Sequence, residues 1–143
     1  MKKVFLCICI FILCFVHIAY AKHKKLEKEY VHEWCEPLFG YEEYVLPDKT
    51  RCDCVVIINE LRYAIEFDFG EKWAESIGQA LYYGLQTEYI PGIVLILEDE
   101  KEYRYFLRAN SVIQHWGLPI KIWIIENYTL SNILYDDKNS KRK

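Results

Sequence analysis

Three acidic residues fall within two neighbouring stretches of this chain and carry the types and spacing for metal-assisted chemistry. Asp53 lies in Arg51 to Ile58, and Glu66 and Asp68 lie in Tyr63 to Phe69. Both stretches are rich in β-branched and aromatic residues and read as the strands of a hairpin joined across Asn59 to Arg62. Side chains alternate along a strand, so Tyr63, Ile65, Phe67 and Phe69 share one face while Ala64, Glu66 and Asp68 share the other. Two carboxylates therefore project side by side, with Asp53 one strand away. A divalent cation such as Mg²⁺, or Mn²⁺ in its place, takes oxygen ligands from a few carboxylates and completes its shell with water. Held there, it activates water and stabilises charge on a phosphate, while a nearby lysine orients the water or neutralises the phosphate. Lys72, Ser76, Gln79 and Tyr83 follow. At about 100° per residue these four span only about 60° of a helix, so one polar stripe begins immediately after the carboxylate strand.

The elements that must hold these groups can be read in order. Leu26 to Leu38 is predicted to be a helix with Tyr30, Trp34 and Leu38 on one face, ended by Pro37 and Gly40. Tyr41 to Leu46 reads as a short strand, and Pro47-Asp48-Lys49 as a turn into the hairpin. Glu71 to Gln86 is a patterned helix whose core face carries Trp73, Ile77, Ala80, Leu81 and Gly84, placing the polar stripe beside that face and not within it. Pro91-Gly92 introduces an apolar strand, Ile93 to Leu97; Lys101 to Trp116 reads as helix and Ile120 to Ile125 as a last strand. This order predicts an α/β domain, a mixed central β-sheet flanked by helices. Trp34, Trp73, Trp116 and Trp123 are expected to pack in the core or at its edge.

The two ends of the chain are set apart from this domain. Met1-Lys2-Lys3, an apolar run from Val4 to Ala19 and the exit Ala19-Tyr20-Ala21 have the charged head, apolar middle and small-residue close of a signal peptide. That predicts export to a secreted or periplasmic location, cleavage after residue 21 and no stable membrane association afterwards. Residues 22–126 would form one domain, followed by a polar, basic tail, 127–143. Taking Lys2 and Lys3 from the 18 basic residues leaves 16 against 21 acidic ones, a charge of −5 for the mature chain at pH 7. Such a balance argues against tight, nonspecific phosphate binding, which normally shows as a basic face. Cys35, Cys52 and Cys54 survive cleavage, so at least one thiol is left over. Cys52 and Cys54 are expected to point the same way and not to bond to each other, which leaves Cys35 a bridge to either.

The run "TRCDC", followed by "YAIEFDFGEKWAESIGQALYYG", resembles the core of the PD-(D/E)XK nuclease superfamily. The likeness is greatest to branches with a Gln-x-x-x-Tyr helix, here Gln79 and Tyr83. It implies a restriction-endonuclease-like fold, αβββαβ plus a C-terminal helix and strand, and a metal-dependent enzyme hydrolysing DNA phosphodiesters. It further implies that Asp53 and Glu66 hold Mg²⁺, that Gln79 and Tyr83 meet the substrate, and that a glutamate on the first helix assists. "EKEYVHEWC" offers Glu29 for that last role, with Glu33 one turn later. In the family a lysine stands two residues after the second acid; here that position is Asp68, a further candidate ligand, and Lys72 is placed to supply the ammonium from the start of the helix. The displaced lysine and the acidic balance leave a second reading open, a noncatalytic descendant of the fold that binds a partner.

Overall fold

A computed structural model describes residues 23–126. The expected signal peptide and the basic tail lie outside the described residues. Helix α1 (Glu27–Cys35) runs into a 3-10 turn (Glu36–Leu38), where Pro37 removes a backbone donor. Strands β1 (Tyr41–Val45), β2 (Arg51–Ile58) and β3 (Leu61–Phe69) follow. A 3-10 turn (Gly70–Lys72) leads into α2 (Trp73–Thr87), then come β4 (Ile90–Leu97), α3 (Tyr103–Trp116) and β5 (Lys121–Glu126). The sheet is five-stranded in the order β1-β2-β3-β4-β5. The first three strands pair antiparallel, and β4 and β5 join in parallel. Among the described residues no helix is long and apolar enough to cross a membrane.

The hairpin is tighter than expected. Its turn is Asn59 and Glu60 alone, both with positive φ (51° and 69°), the backbone that a two-residue turn needs to match the twist of its strands. Strand β4 is longer than expected, because Pro91 and Gly92 lie inside it and pair with Ala64 and Ile65. Proline is tolerated there because β5 begins its pairing only at Gly92, leaving Pro91 with a neighbour on one side. Its ring lies against Gly84 of α2, where an added Cβ would stand 3.0 Å from it.

The two faces of the sheet bury different partners. On one, α1 sets Val31 and Trp34 against Val56, Ile65, Phe67, Val94 and Trp123. Trp34 meets Phe67 and Trp123 edge to face at 5.5 and 5.7 Å between ring centres. Trp34 is 1 % exposed, and its truncation to alanine is expected to cost about 3–5 kcal/mol. On the other face α2 and α3 cover Ile93, Leu95 and Leu97 with Ala80, Ala109 and Ile113, and with Trp73 and Ile77 at the margin. Trp116 departs from expectation: it ends α3 and is exposed.

Candidate active site

The acidic positions of β3 belong to the face covered by α2, in register with Ile93 and Leu95 of β4. Glu66 and Asp68 are both buried, 5 % and 2 % exposed, which two carboxylates tolerate only where polar partners meet them. Helix α2 supplies those partners. Its buried residues are Ser76, Ala80, Tyr83 and Gly84, so Ser76 and Tyr83 of the polar stripe lie within the buried arc, not beside it as the apolar pattern suggested, while Gln79 is half-buried and Lys72 exposed. The sheet beneath is itself polar at that point, and the helix turns its hydroxyls toward it.

Each group has a defined engagement. Asp53 on β2 accepts a 2.7 Å hydrogen bond from the Phe67 amide of β3. The Asp53 and Glu66 carboxyls, and the Tyr83 hydroxyl beside Glu66, lie near enough to shift one another's titration. Glu66 Oε2 and Gln79 Oε1 are buried without a partner. The Ser76 hydroxyl reaches Asp68 Oδ2 at 3.3 Å and the Lys72 carbonyl at 3.1 Å. Lys72 Nζ lies 3.0 Å from Asp68 Oδ1, so the lysine enters the group through Asp68 and not through the Asp53–Glu66 pair.

The glutamate of α1 that faces the acid group is Glu27, while Glu29 and Glu33 engage elsewhere. Glu29 accepts the Leu26 amide at 2.8 Å and caps its own helix, while Glu33 pairs with Lys25. Glu27 instead lies near enough to the acids to feel the charges of Asp68, Asp53 and Lys72. The periodicity of α1 carries the signal that finds it. Tyr30, Val31, Trp34 and Cys35 are its buried residues. At about 100° per residue Glu27 falls within about 10° of the centre of that face, and Glu29 on the opposite side.

The electrostatics follow from the crowding. Burial first, then the charges of Asp68 and Asp53, raise Glu27 to about 7. Burial, then the neighbouring Asp53, push Glu66 well above the usual carboxylate range, with Tyr83 opposing only in part. Burial also raises Asp53, against the Phe67 amide, and Asp68, against Lys72 and Ser76. Lys72 is raised by its hydrogen bond to Asp68 and stays charged. Of these acids Glu66 is the one whose raised value, about 9, keeps its proton at neutral pH. Among the described residues no three of histidine, cysteine, aspartate and glutamate stand close enough together to enclose a metal ion. The donor set still fits Mg²⁺ or Mn²⁺: all oxygens, a close carboxylate pair, and one buried oxygen, Glu66 Oε2, lacking a partner. Mg²⁺ is commonly held by one or two carboxylates and keeps several waters, so a closed cage is not required.

The cysteines around the site are settled as Cys35–Cys54, which ties the end of α1 to the residue after Asp53. Cys52 is the buried free thiol, and burial pushes it up to about 12. It does not share the setting of Cys54: it packs with Leu46, Val55, Ala64 and Tyr83, whereas Cys54 packs with Val31 and Trp34. Alternation is broken between the two, opposite Glu43 of β1, whose φ of 51° marks an irregular edge. Compared with known proteins, the chain matches no protein-family model, no curated protein and no solved structure.

Proposed function

We propose that the protein is an exported, metal-dependent nuclease of the PD-(D/E)XK type, hydrolysing DNA phosphodiester bonds. The observation that carries this reading is the meeting of Asp53, Glu66, Asp68 and Glu27, from three separate elements, with the ammonium of Lys72 at their margin. Structural acids rarely gather at such electrostatic cost, and strongly shifted carboxylates mark functional sites more often than structural ones. Asp53 and Glu66 would hold the cation, with Asp68 and Glu27 assisting. When bound, the cation supplies an activated water and neutralises charge on the phosphate. Lys72, kept protonated by Asp68, donates to the water or to a phosphate oxygen. Gln79, whose Oε1 is without a partner, orients the lysine or the substrate, and Tyr83 holds the Glu66 carboxyl in place.

The test is nicking of supercoiled plasmid by the purified protein with Mg²⁺ or Mn²⁺. Cleavage that disappears in EDTA, in Glu66→Ala and in Lys72→Ala is the expected result; cleavage indifferent to all three sinks the assignment. One observation favours a second reading, a noncatalytic module that binds a partner in the same groove. Lys72 is committed to Asp68 and half exposed, away from the Asp53–Glu66 pair. Absence of cleavage by a folded protein that still binds DNA would select it.

A further inference from the structure

Helix α1 carries Glu27 but packs on the sheet face opposite α2, so something must hold its first turn at the carboxyl end of β3. The far end of α1 is fixed by the Cys35–Cys54 bridge. Among the described residues the near end is gripped by Glu98, which follows β4. Its carboxylate accepts the Lys24 amide at 2.9 and 3.1 Å and the Tyr30 hydroxyl at 2.6 Å, bracketing Glu27 three residues to either side. Its carbonyl accepts Lys24 Nζ at 2.9 Å, and its amide bonds Glu102 Oε2 at 2.7 Å. His23 completes the strap. Its ring stacks on Phe69, the neighbour of Asp68, at 3.5 Å between centres and 14° between planes. Its Nδ1 lies 3.2 Å from Glu98 Oε2 and its Nε2 3.6 Å from Glu71 Oε1.

From this geometry we infer that Glu98 and His23 are positioning residues: they clamp residues 23–30 across the ends of β3 and β4 and thereby hold Glu27 against Asp68. Neither touches the acid pair. Burial would raise Glu98, but the Tyr30 hydroxyl, the Lys24 amide and His23 outweigh it and leave the carboxylate charged, as a clamp accepting several donors must be. An ordinary helix terminus is capped from within its own segment; this one is also gripped by a residue about seventy positions away, aligned on the one acid that α1 contributes.

The inference rests on the reading of the acid group as a site, but its test does not need cleavage. Stability to urea is measured for the metal-free protein at pH 8 in a double-mutant cycle between Glu27 and the strap. With the strap intact, Glu27→Gln relieves repulsion from Asp68 and Asp53 and raises the folding equilibrium constant several-fold. With Glu98→Ala, or with the milder His23→Ala if the former does not fold, Glu27 is released and the same substitution changes the constant less than twofold. An equal gain in both backgrounds overturns the inference. A second cycle reads Mn²⁺ affinity by calorimetry: His23→Ala weakens it about tenfold when Glu27 is present and has no effect in Glu27→Gln. Equal weakening in both backgrounds also counts against the clamp. Failure of every form to bind Mn²⁺ sinks the metal reading of the site and leaves the stability cycle to decide the clamp.

Discussion

Glu27 and Glu29 stand two apart on one helix and do opposite work. The first is half-buried near Asp68 and raised to a pKa of about 7; the second faces solvent and accepts the Leu26 amide at its own helix start. Glu27→Gln is therefore expected to lower plasmid nicking and Mn²⁺ affinity by about tenfold, about 1.4 kcal/mol, without loss of fold. Glu29→Ala is expected to leave nicking unchanged and to cost about 1 kcal/mol of stability through the lost cap, read by urea unfolding. A reversal, with Glu29→Ala abolishing nicking, would restore the assignment that the resemblance suggested. That assignment came from the motif, which asks only for a glutamate somewhere on the first helix. The angular position of Glu27 relative to Tyr30 and Trp34 was equally available and points to the residue that faces the acid group. Glu66 and Asp68 were legible from strand alternation, which holds along β3; Asp53 lies where the alternation of β2 breaks, between Cys52 and Cys54. The destination of Lys72 was not legible, because a long side chain at a helix start can reach several acids and only packing decides which.

At the scale of elements, the periodic segments were readable and the irregular ones were not. Strand β3 follows its alternation and α2 forms where its period places it, whereas Pro91 and Gly92 read as the lead-in to a strand and lie within β4. Their tolerance depends on where β5 begins and on close approach to neighbours: a Cβ at Gly92 would stand 2.9 Å from the Trp123 ring. Such distances belong to the tertiary structure and leave no local signature. Gly40 is the sharper case. It was read as a helix stop, and it also makes room for the Cys35–Cys54 bridge, since a Cβ there would overlap Cys35 Sγ and stand 2.9 Å from Cys54 Sγ. Gly40→Ala is accordingly expected to cost on the order of 1–3 kcal/mol, as overpacking does in a filled core. In a Cys35→Ser, Cys54→Ser background most of that cost should disappear, because the smaller oxygens are free to move apart. Equal destabilisation in both backgrounds, measured by urea unfolding, would show that the glycine answers to the backbone and not to the bridge.

Over the whole molecule the acids make folding a proton-binding event. Glu27, Glu66, Asp53 and Asp68 all titrate above their ordinary values, principally because of burial. The folded protein keeps protons at neutral pH that the unfolded chain has released. For an acid raised in this way the favourable contribution is complete below the unfolded value, near 4.5 for a glutamate, and is lost as pH rises through the folded value, about 7 for Glu27 and higher for Glu66. The metal-free protein should therefore lose stability between pH 5 and pH 8, opposite in sign to a protein whose carboxylates are salt-bridged. A change of ~1 kcal/mol moves the Tm of a domain this size by about 4–8 °C, so a fall on that order is expected in EDTA. Mg²⁺ should reverse the slope: binding needs the acids deprotonated, so the cation does little at pH 5 and raises Tm progressively toward pH 8. Glu66→Gln, which keeps the shape of the protonated acid, should flatten the curve in EDTA and abolish the response to Mg²⁺. Calorimetric scans of both proteins at pH 5, 6.5 and 8, with and without the cation, decide it. A Tm that climbs with pH in EDTA means the acids are ionised and paired within the fold, and a wild-type Tm indifferent to Mg²⁺ at pH 8 means that these carboxylates gather for a partner other than a metal.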